Sequence, residues 1–450
     1  MEPFRHHVFV CTQEKPEGVT SCSCNGSARV LEALQREVGS QGLDNDVQVT
    51  TCGCLGLCDD GPVMITYPEG TWYRKVKNED VPEIVSRHFR SGKVISRLVW
   101  NDSPAMKAAM TEHRERYRGA MKARDQAGTL PDDLNEMIRG FTPSRAVLTA
   151  LELDVFTAVG KGASGKQVAE KIEADPRATE MLLNALVSLK LLEKHNGTFS
   201  NTAGSARFFA EGSPDNARGG LMHTANLWHR WSTLTDAVRA GTSLKARVRD
   251  DEERSDFIAA MDRNAKERAG LVLKAVGTSG IHRMLDLGGG SGAYSIAFAR
   301  AVPDLKSEIL DLGYVLPLTQ EYIGKAGLSD RITTRSGDML RDSFGKNFDL
   351  ILLSAICHMF SPEENRALIK KAYEALAPKG RLVIQDFILE PSKTAPRFAA
   401  LFSLNMLVGT RAGASYSEPE YTDWLREAGF PDVQHIRLPG ASGLMIAARG

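Results

Sequence analysis

The stretch RMLDLGGGSGAYSIAFARA, residues 283–301, predicts a strand, a glycine-rich turn and a helix. Its apolar strand ends at Asp286 and Leu287, four of the next five residues are glycine, and Ser291 stands near the start of an amphipathic helix. Glycines at the carboxyl end of a strand let a ligand lie against the backbone and the helix N-terminus. Nucleotide sites and methyl-donor sites share such a loop, so the residues around it must decide its function.

The chain beyond the glycine loop predicts four more strands and a closing antiparallel pair. The second strand, LKSEILDL, includes Asp311, where an acidic side chain can hold ribose hydroxyls. The third leads to Gly337, Asp338 and Met339, the fourth is in FDLILLSAICHMF, and the fifth is GRLVIQDFIL. The loop lacks the GK[ST] sequence that binds the phosphates of ATP, which argues against ATP as ligand. We therefore expect an α/β domain with a Rossmann-like sheet.

The other end of the chain is dense in cysteine. Six of the seven cysteines lie in the first 58 residues, within a short α/β pattern. If the strands ending in VFVC and VQVTTC pair, their thiols meet in neighbouring loops, which suits an iron–sulfur cluster held by four thiolates. A structural zinc site also uses four thiolates, but the usual paired C-x-x-C knuckles are absent. The six are Cys11, Cys22, Cys24, Cys52, Cys54 and Cys58.

Charge and hydropathy limit the partners that we expect. Lys plus Arg and Asp plus Glu both total 56 in 450 residues, so no overall field attracts nucleic acid or an anionic membrane. No run of about 18 uncharged apolar residues occurs, and the N-terminal apolar run is too short for a signal sequence. Clustered cysteines are rarely disulfides in a reducing compartment. We expect a cytoplasmic protein without nucleic-acid or membrane partners.

The residues between these two regions are mostly helix-forming. Residues 105–134 predict a charged helical linker. Residues 135–207 predict three amphipathic helices and a hairpin at Asn196 and Gly197, which is the element order of a winged helix. The third helix is mostly apolar, so it suits a subunit interface better than a DNA major groove. We therefore expect a homodimer.

At the N-terminus, HVFVC, an SC pair before Gly-Ser, CLGLC and YPEGTWY resemble the thioredoxin-like 2Fe-2S ferredoxins. The resemblance covers about the first hundred residues and implies a ferredoxin domain at 1–104 with a 2Fe-2S cluster. By motif, it implies the cluster ligands Cys11, Cys22, Cys54 and Cys58. The loop before the SC pair is two residues shorter than is usual in that family, so Cys24 is the alternative to Cys22.

From about residue 135 onward, ALELDVF, LDLGGGSG and LREAGF resemble the Class I S-adenosylmethionine (SAM)-dependent methyltransferases. The similarity is to the O-methyltransferase branch that includes caffeic acid and hydroxyindole enzymes. It implies a winged-helix dimerisation domain at 135–207, and at 208–450 substrate-binding helices with a Rossmann-like methyltransferase domain. By motif, the residues implied to bind SAM are Asp286, Gly288 and Gly290 at the amino acid part, Asp311 at the ribose, and Asp338 with Met339 at the adenine.

The segment SAICHMFSPEEN matches the family stretch that carries the catalytic histidine, which implies His358 as general base. A phenol with a pKa near ~10 is mostly protonated at neutral pH, so an imidazole that takes its proton promotes methyl transfer. Asp386, which follows RLVIQ in the fifth strand, can hold His358 in the productive tautomer. Met359 and Ser415 stand where the family has carboxylates, which leaves the orientation of His358 open.

The sequence as a whole predicts a multidomain α/β enzyme that methylates a hydroxylated aromatic or related small molecule. The ferredoxin domain would serve electron transfer or redox control, with a redox partner protein. The alternative is a redox-sensing or electron-transfer protein whose methyltransferase-like half binds SAM without methyl transfer. O-methylation and C-methylation are not distinguished by the motifs.

Overall fold

The structure, a computed structural model, describes residues 3–15, 19–128, 130–244 and 251–450. The chain forms two compact units, Met1–Gly140 and Phe141–Gly450. Each unit has its own sheet and its own apolar core. No helix in these described ranges is both long enough and apolar enough to cross a bilayer.

The first unit is built on a four-stranded sheet in the order β2-β1-β3-β4. β1 pairs in parallel with β2, and the register places Cys11 beside Cys52. This pairing agrees with the prediction that the two cysteine-ending strands are neighbours. The elements are β1 His6–Cys11, α1 Ser27–Ser40, β2 Val47–Cys52, β3 Met64–Tyr67, β4 Thr71–Tyr73, α2 Val81–Glu83 continued by a π-helical segment Ile84–Phe89, α3 Ser103–Gln126 and α4 Asp132–Arg139.

Helix α1 closes one face of this sheet because its apolar residues recur at helical spacing. Val30, Leu34 and Val38 are buried on one side of the helix and pack in the same cluster as Val8 and Val10 of β1. The charged helix predicted as a linker also belongs to this compact unit, since Met106 of α3 packs beside the cysteine loops. The predicted domain limits at 104, 134 and 207 stay predictions.

The second unit begins with helices and a small three-stranded sheet in the order β5-β7-β6. Asn196 and Gly197 both have positive φ, 50° and 80°, as a tight hairpin turn requires. The predicted hairpin therefore forms at these two residues. The elements are α5 Phe141–Glu152, α6 Val155–Val159, β5 Ala163–Ser164, α7 Gly165–Lys171, α8 Pro176–Ser188, β6 Leu192–His195, β7 Thr198–Asn201, α9 Ala203–Phe208, α10 Arg218–Trp231, α11 Leu234–Ala240 and α12 Asp251–Val276.

A seven-stranded sheet in the order β10-β9-β8-β11-β12-β14-β13 forms the rest of this unit. Its first five strands are parallel, whereas β14 and β13 are antiparallel, as the sequence predicts. The carboxyl ends of β9, β8, β11 and β12 therefore lie side by side. The elements are β8 Arg283–Leu287, α13 Ala293–Ala301, β9 Lys306–Asp311, α14 Leu316–Lys325, β10 Ile332–Ser336, β11 Phe348–Ser354, α15 Pro362–Ala375, β12 Leu376–Asp386, α16 Arg397–Gly409, α17 Glu418–Glu427, β13 Val433–Arg437 and β14 Gly443–Ala448.

Candidate active site and candidate cluster site

Four thiols converge beyond the carboxyl ends of β1 and β2. Cys11 ends β1, Cys22 lies in the segment before α1, and Cys54 and Cys58 follow β2. The Sγ atoms of Cys54 and Cys58 are 3.6 Å apart. The Cys22 thiol is within hydrogen-bond reach of both Cys11 and Cys58. The structure thus brings together the four thiols that the ferredoxin resemblance singles out.

Cys22 and Cys24 occupy different environments. Cys22 is 1% exposed, and a Cβ atom added at Gly61 would lie only 2.9 Å from its Sγ. Cys24 is exposed, and its Sγ accepts a hydrogen bond from Ser21 Oγ at 3.1 Å. The close approach at Gly61 and the burial make Cys22 the member of the converging group, while Cys24 lies on the protein surface.

The sulfur atoms are surrounded by groups that stabilise thiolates. The Gly56 N–H donates to Cys54 Sγ at 3.3 Å, and backbone N–H groups of Gln13 and Leu55 donate to Cys11. The Cys22 thiol donates a hydrogen bond to Cys11, which lowers the pKa of Cys11 to about 6. The same hydrogen bond raises the pKa of Cys22. Four clustered thiols with backbone donors at Cys11 and Cys54 are what an anionic iron–sulfur cluster requires, so these residues fit a 2Fe-2S cluster.

Helix α3 adds a histidine that the sequence did not single out. His113 is 5% exposed, and one of its ring nitrogens lies within 4.8 Å of the sulfurs of Cys54 and Cys58. Its Nε2 is hydrogen-bonded to Lys15 Nζ, and this amino group also lowers the pKa of Cys58 to about 5, after the larger effect of Cys22. Lys15 and His113 are 98 positions apart, so no local spacing could have indicated that they meet.

In the second unit, the glycine loop after β8 is tightly packed. Gly288 has a φ of +67°, and a Cβ atom there would lie 2.4 Å from Cδ1 of Ile356 and 3.0 Å from Cε of Met339. Only glycine fits this position without displacing both side chains. Met339 and the loop are therefore neighbours, and the segment that leads into His358 packs directly against the loop.

Asp311 is joined to the glycine loop by a hydrogen bond. The Gly290 N–H donates to its Oδ2 at 2.9 Å, and the Leu312 N–H donates to its Oδ1 at 2.7 Å. Burial raises the pKa of Asp311, while both backbone donors act to lower it. The carboxylate consequently lies at the shared edge of β8 and β9, where its sequence position places it. Its contact with a ribose stays a prediction.

Asp286 and Asp338 differ in exposure. Asp286 is 1% exposed, accepts a hydrogen bond from Ser295 Oγ at 2.8 Å, and has its pKa raised to about 6 by burial. This carboxyl anchors the start of α13 beneath the glycine loop. Asp338 is exposed at the side chain, and its Oδ1 accepts from the Leu340 N–H at 2.9 Å. The contact of Asp338 and Met339 with adenine stays a prediction.

His358 is held by Asp386 at the end of β12. His358 Nδ1 is 2.7 Å from Asp386 Oδ1, and the His358 backbone N–H donates to Oδ2 at 3.1 Å. The Phe387 N–H and the Tyr421 hydroxyl donate to the same carboxylate at 2.8 and 3.2 Å. A carboxylate only accepts hydrogen bonds, so the proton belongs on Nδ1 and Nε2 presents its lone pair.

Aromatic rings surround the His358 imidazole. The Phe402 ring meets it edge-on at 4.9 Å between centroids, and the Phe387 ring lies 6.2 Å away. Phe402 is on α16, and Asn405 of the same helix accepts a hydrogen bond from Trp231 Nε1 at 3.0 Å. This bond fixes α16 to α10. The arrangement places the imidazole beside two aromatic rings.

The two departures from the family motif have clear positions. The Met359 side chain is 45% exposed. Ser415 is buried, and its hydroxyl donates to the Ala399 carbonyl at 2.8 Å. Within the described part of the chain, the carboxylate that bonds to His358 is Asp386 alone.

Three family models match the chain in succession. Residues 2–88 match the thioredoxin-like [2Fe-2S] ferredoxin, residues 135–211 the O-methyltransferase dimerisation domain, and residues 231–431 the O-methyltransferase domain. The third match covers both the glycine loop and His358, so the second unit contains an O-methyltransferase domain.

Several O-methyltransferases of known activity are similar in sequence to this chain. A 3-hydroxy-5-methyl-1-naphthoate 3-O-methyltransferase from Streptomyces sahachiroi is 32% identical over 71% of this chain and 95% of its own length. An acetylserotonin O-methyltransferase from Bos taurus is 28% identical over 70% of this chain and 97% of its own length. The crystal structure of human N-acetylserotonin methyltransferase in complex with SAM is 28% identical, has a TM-score of 0.63, and matches 70% of this chain and 96% of its own.

The chain belongs to the SAM-dependent O-methyltransferase family and carries an N-terminal thioredoxin-like 2Fe-2S ferredoxin domain. These findings confirm the predicted fold class, enzyme class and cofactors, which are SAM and a 2Fe-2S cluster.

Proposed function

We propose that this enzyme methylates a hydroxyl group of an aromatic small molecule, with His358 as the general base. The observation that carries the proposal is the 2.7 Å contact between His358 Nδ1 and Asp386 Oδ1 at the edge that also holds the glycine loop. The relatives include a naphthoate O-methyltransferase and acetylserotonin O-methyltransferases, all named for aromatic acceptors. The rings of Phe387 and Phe402 beside His358 suit an acceptor of that shape.

SAM, when bound, supplies a methyl group on a sulfonium that is already electrophilic. Asp311 and the backbone at Gly290 would hold it, with Met339 against the loop. His358 Nε2 takes the proton that the acceptor hydroxyl loses, which leaves the oxygen lone pair free for attack. Asp386 keeps the imidazole in this tautomer and stabilises the imidazolium that forms. The phenyl rings exclude water and orient the acceptor.

The base is tested by His358→Gln, with methyl transfer followed from labelled SAM to a panel that includes 3-hydroxy-1-naphthoate and N-acetylserotonin. General-base catalysis contributes about 10²- to 10⁴-fold, so we expect kcat to fall by that factor while SAM affinity is unchanged. The control is His435→Gln, because His435 pairs with Glu418 at 2.9 Å on other elements. An unchanged kcat in His358→Gln, with an acceptor that wild type methylates, contradicts the proposal.

For the first unit, we propose that Cys11, Cys22, Cys54 and Cys58 hold the cluster. The cluster supplies one-electron transfer, and the domain exchanges electrons with a redox partner protein in the reducing cytoplasm. The dimerisation-domain match and the apolar residues of α8 support a homodimer. We infer that cluster state and methyl transfer are coupled, because the two cofactor sites are covalently joined in one chain.

The coupling is tested by calorimetric titration of SAM into oxidised and dithionite-reduced protein under anaerobic conditions. A coupling free energy of about 1–3 kcal/mol corresponds to a 5- to 150-fold difference in affinity. Equal affinities, together with equal methyl-transfer rates in both states, contradict redox control.

A further inference from the structure

Two buried histidines and a glutamate meet in the first unit, away from the cysteines. His6 begins β1, Glu69 lies in the turn between β3 and β4, and His88 lies in the helix after α2. One ligand atom from each lies within 4.8 Å of the others. Cys11 is at the other end of β1, about 17 Å along the strand, so this group is separate from the cluster site.

The histidines are buried without sufficient polar partners. His6 is 2% exposed and His88 is 1% exposed. Within the described part of the chain, neither ring nitrogen of His6 makes a hydrogen bond, and the same is true of His88 Nε2. A buried polar group without a partner is destabilising, because it has lost its hydrogen bonds to water. One ring nitrogen of each histidine and one carboxylate oxygen of Glu69 therefore lie within reach of a single ion.

The position of Glu69 fits a shared ligand better than a hydrogen bond. Its Oε1 is 3.2 Å from His6 Nδ1, but the two groups lack the alignment of a hydrogen bond. Two ligand atoms at about 2.0–2.1 Å from a tetrahedral zinc are themselves about 3.3 Å apart. The distance between His6 Nδ1 and Glu69 Oε1 is therefore the distance expected for two ligands of one zinc ion.

Hydrogen bonds on the far side of His88 orient its free nitrogen. His88 Nδ1 is 3.0 Å from the Tyr73 hydroxyl, which in turn accepts the Ile95 N–H at 3.1 Å. For Nε2 to bind a metal, the Nδ1–H of His88 donates to the Tyr73 hydroxyl oxygen, as metal-binding histidines donate through their second nitrogen. The rings of His6 and His88 lie 5.4 Å apart between centroids, so both can approach one ion.

We propose that His6, Glu69 and His88 form a binding site for a divalent transition metal of the zinc class. Two imidazoles and one carboxylate leave the fourth position of a tetrahedral ion to water. Glu69 is 39% exposed at its side chain, so the ion enters and meets water on that side. Bound there, the metal ties the start of β1 to the β3–β4 turn and to the helix that closes the unit.

The test uses the full-length, cluster-loaded protein and Zn²⁺ alone, measured by anaerobic equilibrium dialysis and by thermal unfolding. Glu69→Gln keeps the shape of an exposed side chain, so folding is retained. We expect its zinc affinity at this site to fall at least about 10-fold, with loss of the zinc-dependent rise in unfolding temperature. Glu79→Gln, an exposed glutamate of the same unit, is the matched control and should behave as wild type.

A second variant, His88→Gln, removes a nitrogen ligand and should abolish zinc binding at this site. If it fails to fold, Glu69→Gln still decides the question. The proposal is overturned if wild type and Glu69→Gln bind zinc with equal stoichiometry and affinity. It is equally overturned if wild type binds no zinc beyond what its free cysteines take up.

Discussion

The cluster site and the methyl-transfer site obtain their geometry from different sources. Around His358, four hydrogen bonds to Asp386 fix the imidazole that we propose as general base. Around Cys22, the thiols are held close together, but they share protons, so that the pKa of Cys11 is lowered while that of Cys22 is raised. Iron must displace these protons, because only thiolates bind the metal.

The comparison shows what each site demands of the fold. The methyl-transfer site needs rigid elements, and it uses the ends of adjacent parallel strands. The cluster site needs loops that bring four sulfurs together and backbone N–H groups that stabilise their charge. Its final geometry is completed by the cofactor. Substitution of a cluster ligand in the first unit should therefore abolish cluster binding. Substitutions in the second unit should lower the rate or the stability only in part.

The largest expected effect is loss of the cluster in Cys22→Ser. A serine oxygen cannot replace the thiolate in a buried position that contacts two other ligands, so the visible absorption of the cluster should disappear. Cys24→Ser is the matched control and should retain it, because Cys24 is exposed and bonded to Ser21. The reverse pattern would make Cys24 the ligand. SAM affinity of the cluster-free variant is measured in parallel to confirm that the second unit remains folded.

The next effect concerns stability in the second unit. Burial raises the pKa of Asp286 from 3.8 to about 6, so the folded state binds this proton more tightly than the unfolded state. The resulting stabilisation is full below about pH 3.8 and is lost as pH rises to about 6. At ~1.36 kcal/mol per pKa unit, the loss is about 3 kcal/mol.

Asp286→Asn should remove that pH dependence, since its amide oxygen still accepts from Ser295 and carries no charge. Urea unfolding between about pH 4 and pH 6 measures the difference from wild type. The control is Asp304→Asn, an exposed residue whose replacement should leave the wild-type slope unchanged. If the free energy of unfolding changes equally with pH in wild type and Asp286→Asn, the raised pKa of Asp286 is contradicted.

The smallest effect is on rate, in Asp386→Asn. The amide can no longer accept all four hydrogen bonds, and its NH₂ group would face either the imidazole Nδ1 or a backbone N–H. We expect kcat to fall at least about 10- to 100-fold with SAM affinity unchanged, which is the range for partners that orient metal-binding histidines. Asp423→Asn, exposed on α17, is the control. A wild-type rate in Asp386→Asn would mean that the fold alone orients His358.

Much of this architecture could be predicted from local sequence signals. Asn196 and Gly197 predicted their hairpin because both residues tolerate positive φ. The glycine run after Leu287 predicted the end of strand β8 and the loop that follows it. The meeting of Cys11 and Cys52 at the ends of two strands followed from pairing of those strands. Each signal lies within a few residues of the structure that it predicts.

The contacts that could not be predicted are all distant in sequence. His113 reaches the cysteine loops because α3 packs on the first unit, which depends on tertiary packing rather than on spacing. His6, Glu69 and His88 come from a strand, a turn and a helix. A histidine in an apolar strand is usually a core residue, so only the structure could show that its nitrogens lack partners.

The most direct test of the central claim follows the transferred methyl group itself. Anaerobically purified protein is supplied with SAM labelled with ¹³C at the methyl carbon and with a hydroxylated aromatic acceptor, and NMR locates the label in the product. The account predicts label on the acceptor oxygen in wild type, and in His358→Gln the same product formed at least about 100-fold more slowly. Label on carbon, or equal rates in the two proteins, would contradict it.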